Sequence, residues 1–156
     1  RIYAMAFTGF VGANVLPAST WTRVGAITPE LGDIFTVNIQ TIYAPGFTTR
    51  NLNDEPAATY TPDAEGVMEL TGGPDDDTVV YVAVMPVGTN TDDKDAIQKY
   101  LIAARYVLGS GVIRAHTGVM IPAGWYVYAY SSKADVSISV FGVEGRPTRF
   151  KREPLV

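Results

Sequence analysis

Between Ile34 and Tyr43 apolar and polar side chains alternate. Phe35, Val37, Ile39 and Tyr43 fall on one side of an extended chain, and Thr36, Asn38 and Gln40 on the other. A period of two predicts a strand with one buried face and one wetter face. Val136, Ile138 and Val140 alternate with Ser137 and Ser139 in the same way, in a run that ends at Gly142. The stretch Val79–Met85 is apolar on both sides, with Val80, Val82 and Val84 against Val79, Tyr81, Ala83 and Met85. Such a run suits a central strand covered on both faces. Trp125–Tyr130 sets Tyr126, Tyr128 and Tyr130 on one face, and Trp125, Val127 and Ala129 on the other. Fifteen glycines and ten prolines punctuate these short runs, which gives the chain an all-β texture.

Two regions break the pattern. Residues 44–74 form a long excursion rich in Gly, Pro, Asn and Asp, in which only Gly66–Leu70 reads as a strand. In a compact domain such a stretch is an arm, a binding loop or a hairpin insertion. In residues 91–108, Thr91 followed by Asp92, Asp93 and Asp95 reads as a helix N-cap with an acidic first turn, which complements the helix dipole. Ile97, Tyr100, Leu101, Ala104 and Leu108 continue at helical spacing, yet Tyr100, Ile102, Tyr106 and Val107 have strand-like side chains. Gly109-Ser110-Gly111 is a good hairpin turn before Val112-Ile113. The expectation is one short helical turn over Asp93–Gln98, then a strand. With no fixed-period repeat and no Gly/Ser linker, residues 1–145 read as one β-sandwich domain with an N-terminal arm or strand, followed by a basic tail at 146–156.

Composition narrows the chemistry. The 156 residues include no cysteine and one histidine, His116. Disulfides, thiolate metal sites, cysteine nucleophiles and multi-imidazole metal sites are thereby excluded. A net charge of −4 is poorly suited to wrapping nucleic acid, because phosphate binding needs a surplus of Lys and Arg. No segment is long and apolar enough to read as a membrane span; Gly118–Tyr130, the longest weakly polar stretch, contains Pro122 and Gly124. Ile2–Leu16 faintly resembles a secretion signal, but Thr8, Gly9, Gly12 and Asn14 dilute it, so it reads as structure. The chain starts at Arg1 without an initiator Met, and residues upstream are expected.

The candidate chemical motifs are sparse. His116 has no G-x-S-x-G elbow to serve, and an ordinary surface or core role is expected of it. Thr8-Gly9-Phe10-Val11-Gly12 lacks the third glycine and the lysine of phosphate loops, and strand-end turns account for it. Asp75-Asp76-Asp77 and the Asp92, Asp93, Asp95 group lack calcium-loop spacing, and read as solvated turns that guard the ends of the apolar strand against edge pairing. No catalytic residue, cofactor or metal is expected. Tyr126, Tyr128 and Tyr130 form a ladder that packs on a core or on a neighbouring subunit, or else stacks sugar rings together with Trp21 or Trp125. The tail carries Arg146, Arg149, Lys151 and Arg152 against Glu153, leaving eight bases against fifteen acids in residues 1–145. It is expected to lie across an acidic surface, with Phe150 and Leu155 as apolar anchors.

Residues 98–144 also carry a resemblance. The run Lys99-Tyr100-Leu101-Ile102 is followed by Gly111-Val112-Ile113-Arg114 and by Thr117-Gly118-Val119-Met120-Ile121. Ala123-Gly124, Ser131-Ser132-Lys133-Ala134-Asp135-Val136 and Gly142-Val143-Glu144 complete the series. This series resembles small virion structural proteins of tailed bacteriophages, cyanophages included. The resemblance implies a jelly-roll-like antiparallel sandwich used for assembly, here with the 44–74 excursion inserted and at most one short helix. It implies a non-enzymatic protein located in the virion that decorates or cements the head or attaches to the neck or tail. Its partners would be copies of itself, a homotrimer being favoured, and capsid or tail components, with neither nucleic acid nor membrane. The alternative is a carbohydrate-binding β-sandwich for receptor or glycan recognition.

Overall fold

The computed structural model describes residues 8–25, 34–53, 58–73 and 76–145. In chain order the strands are β1 (Thr8–Leu16), β2 (Thr22–Val24), β3 (Ile34–Tyr43), β4 (Thr59–Pro62), β5 (Met68–Gly72) and β6 (Asp77–Pro86). The single helix among the described residues, α1 (Lys94–Gln98), comes next. It is followed by β7 (Leu101–Gly109), β8 (Ile113–Pro122), β9 (Trp125–Ser131) and β10 (Val136–Gly145). Two four-stranded sheets run in the orders β1-β10-β3-β8 and β2-β9-β6-β7, and β4 and β5 form a separate hairpin. All pairings between these strands are antiparallel. The chain is an all-β sandwich.

The alternation seen in the sequence builds the core. Phe35, Val37, Ile39 and Tyr43 of β3 and Val136, Ile138 and Val140 of β10 project inward from the first sheet. Val80, Val82 and Val84 of β6 and Val127 and Ala129 of β9 meet them from the second. The double-sided apolar run of β6 lies between β9 and β7. Its other face is covered too: Ala83 and Met85 are buried with Ile97 of α1 and Tyr128 of β9 in a second apolar cluster.

The two lateral sides of the sandwich differ. Along one, β1 and β2 come so close that a Cβ on Gly12 would lie 2.3 Å from the Gly25 Cα; only a residue without a side chain allows that approach. Along the other, β7 and β8 are the outermost strands of their sheets. There Tyr106 fills the gap, with its hydroxyl 2.8 Å from Thr41 Oγ1. Its ring lies under the Arg114 guanidinium at 4.8 Å and beside His116 at 5.6 Å.

Gly124 turns the chain into β9 with a φ of +79°, Ser131 Oγ donates to the Lys133 carbonyl, and a Cβ on Gly142 would meet the Thr36 carbonyl at 2.5 Å. Some local expectations are corrected. Thr8–Gly12 lies within β1, with a register shift between Phe10 and Gly12, so it is strand and not a strand-end turn. The helix cap is Asp93, whose carboxylate accepts from the Asp95 and Ala96 amides, and not Thr91. The excursion is a hairpin insertion in which Thr59–Pro62 pairs with the anticipated second strand. Asp76 is not solvated: it is 2% exposed, and its carboxylate accepts from the Tyr43 hydroxyl at 2.5 Å and from the Lys133 ammonium. A buried carboxylate is tolerated because both of its oxygens find donors.

Candidate functional site

The ionisable groups do not converge on a reactive centre among the described residues. No group of three or more His, Asp or Glu side chains there is placed to hold a metal ion. His116 is half-buried beside Tyr106, and its Nε2 is buried without a hydrogen-bond partner. Burial, and secondarily the Arg114 charge, push its pKa below the usual imidazole value. Tyr106 is pushed up by burial. Tyr43 is held well above the ordinary phenol range by burial and then by the Asp76 carboxylate. Tyr43 and Tyr106 are hydrogen-bonded to Asp76 and Thr41, and His116 only packs on the Tyr106 ring; none sits as a nucleophile and base pair.

The tyrosine ladder divides. All three rings lie on the outer face of the second sheet, where Tyr126, Tyr128 and Tyr130 stand opposite Met85, Ala83 and Tyr81 of β6. Tyr128 is buried in the apolar cluster with Ile97. Tyr126 lies under the Arg23 guanidinium at 4.7 Å. Tyr130 joins a trio that sequence spacing does not reveal: its ring is 5.8 Å from that of Tyr81 and 5.7 Å from that of Trp21, and Trp21 and Tyr81 are 6.3 Å apart. The three rings line a groove of about 450 Å³ that is completed by Ile97 and Leu101, with Lys94 and Gln98 at its rim. Trp125 is engaged elsewhere, edge-on to Tyr100 at 5.2 Å.

A second cavity, of about 680 Å³, lies between the 45–50 turn, the β4–β5 hairpin and the 132–135 turn. Arg50 reaches into its wall, and the Nε and Nη1 of its guanidinium are buried without an acceptor. Asp135, which also lines this cavity, is engaged: its Oδ2 accepts from the Gly46 amide at 3.0 Å.

The third surface is the β7–β8 side. Ile102 and Val107 on β7, Val112 in the turn, and Ile113 and Met120 on β8 are all exposed, from 40% for Ile102 to 65% for Met120. The backbone edge of β8 is interrupted. Its register against β3 shifts between Val37 and Ile39, with Gly118 at a φ of +69° and its amide donating to Asn38 Oδ1. Bulges of this kind blunt an edge against strand extension.

Arg146, Arg149, Phe150, Lys151 and Arg152 of the basic tail lie outside the described residues. No helix among the described residues is long and apolar enough to cross a membrane. No protein-family model matches the chain, no curated protein matches it, and no solved structure matches its fold.

Proposed function

We propose that this chain is a non-enzymatic structural protein of a tailed-phage virion, one that decorates or cements the head or attaches at the neck or tail through oligomeric interfaces. The observation that carries this reading is the β7–β8 side, where five large apolar side chains stand in water along the outer strands of both sheets. Large apolar side chains left exposed on the outer strands of a folded domain are the kind of surface that a partner covers. Burying a side chain such as Ile113 or Met120 in a partner stabilises the contact by about 1.5–3 kcal/mol each.

The wiring supports the same reading. The strand orders β1-β10-β3-β8 and β2-β9-β6-β7 support reading the sandwich as a jelly roll, an architecture used by capsid and lectin domains alike. The partners under this proposal are copies of the same chain, with a trimer favoured, and capsid or tail proteins. The test is to replace Ile113 and Met120 by Lys and to measure self-association and binding to tailed-phage particles. Loss of both with an unchanged thermal transition supports the reading; full retention of both overturns it.

A further inference from the structure

We propose that the groove lined by Trp21, Tyr81 and Tyr130 is a binding site for a neutral saccharide ring. A pyranose presents a face of C–H bonds bordered by equatorial hydroxyls, so it needs an aromatic floor and a few polar groups at the edge. The groove supplies both. Tyr81 and Tyr130 are directly opposed across β6 and β9, and Trp21 closes on both from the segment before β2. The rings are partly exposed, and exposed aromatic surface can stack on the C–H face of a sugar. At about 450 Å³ the space suits one or two sugar rings, and apolar walls with few polar groups are the usual make-up of a small-ligand site. Lys94, Gln98 and the hydroxyls of Tyr81 and Tyr130 have no hydrogen-bond partner among the described residues, and are free to receive the sugar hydroxyls.

Charge selects a neutral ligand over an acidic one. Lys94 is the one charged residue in the lining, but the 92–99 segment that carries it sets Asp92, Asp93 and Asp95 against Lys94 and Lys99, all exposed, and this net negative charge opposes a uronate or sialate carboxylate. The groove meets β7 only at Leu101 and includes none of the five exposed apolar residues of the β7–β8 side, so its failure would leave the assembly reading standing.

The experiment is titration of the full chain with neutral hexose and N-acetylhexosamine oligosaccharides and with a glucuronate oligosaccharide, read by calorimetry and by Trp fluorescence. Trp125→Phe isolates the Trp21 signal. The expected result is binding of at least one neutral series with a shift in Trp21 emission, and affinity for the glucuronate series lower by about tenfold or more. Trp21→Ala should lower affinity by about tenfold or more. Because that change touches packed rings, Gln98→Ala and Lys94→Ala at the rim serve as variants that leave the fold intact, and each should weaken binding severalfold, while Tyr126→Phe should not. Absence of binding to every neutral series at millimolar concentration overturns the proposal, and so does binding that Trp21→Ala and both rim variants leave unchanged. Loss of self-association in Trp21→Ala without any sugar response assigns the groove to a subunit interface and overturns it as well.

Discussion

The hydroxyl of Tyr43 donates to the carboxylate of Asp76 at 2.5 Å, and this bond ties the end of β3 in one sheet to the start of β6 in the other. Lys133, from the turn after β9, completes the contact as an ion pair with Asp76. The two sheets thus meet on one buried carboxylate.

Removing the donor alone tests that arrangement. Tyr43→Phe keeps the ring and leaves one carboxylate oxygen short of a partner. A hydrogen bond to a charged group contributes about 1.5–3 kcal/mol, so urea unfolding should show a loss of that size with an unchanged m-value. A loss below about 0.5 kcal/mol would show that the bond is replaceable by water, since that is the range of ordinary surface substitutions.

Gly12→Ala should be more disruptive than its exposure suggests. The added methyl would stand 2.3 Å from the Gly25 Cα and 2.7 Å from its nitrogen, and backbone cannot rotate away as a side chain can. The strands must separate, and overpacking of this kind costs about 1–3 kcal/mol. Thermal unfolding of Gly12→Ala beside Ala13→Gly, a change at an exposed position on the same strand, isolates the contact from the general effect of altering β1.

His116 gives a pH dependence whose sign follows from its surroundings. Burial and then Arg114 hold its pKa below the ordinary value of 6.5. The unfolded chain therefore binds the proton more readily than the fold does. Stability should be full above about pH 6.5, the unfolded imidazole value, and should fall as the pH drops below it towards the folded value. Because the chain has one histidine, subtracting the melting profile of His116→Asn from that of the parent between pH 5 and 8 reads this group alone. A difference that is flat with pH contradicts the assignment.

Strand identity was legible wherever alternation ran for several residues. In β3 and β10 the inward set is apolar except for Thr41, which is buried against Tyr106, and in β6 the double-sided run correctly announced a strand covered on both faces. The wiring was not legible, because period two says which side a residue faces and not which strand lies beside it. Thr59–Pro62 escaped notice because it is short and polar and ends in proline, and its four residues are all exposed. Asp76 read as solvated because its partners, Tyr43 and Lys133, are 33 and 57 residues away in the chain. The aromatic groove was half visible: Tyr130 stood out in its ladder and Trp21 as a lone ring, but Tyr81 was absorbed into an apolar strand. Only the β6–β9 register brings these rings together.

The mass of the purified 156-residue chain in solution tests the central claim most directly. Light scattering across a dilution series should give a concentration-dependent or stable assembly, three times the 16.8 kDa subunit mass for the favoured trimer, which collapses when Ile113 and Met120 are both changed to Lys. A particle of one subunit mass at every concentration, unaltered by those two changes, would contradict a protein whose work is contact through its β7–β8 side.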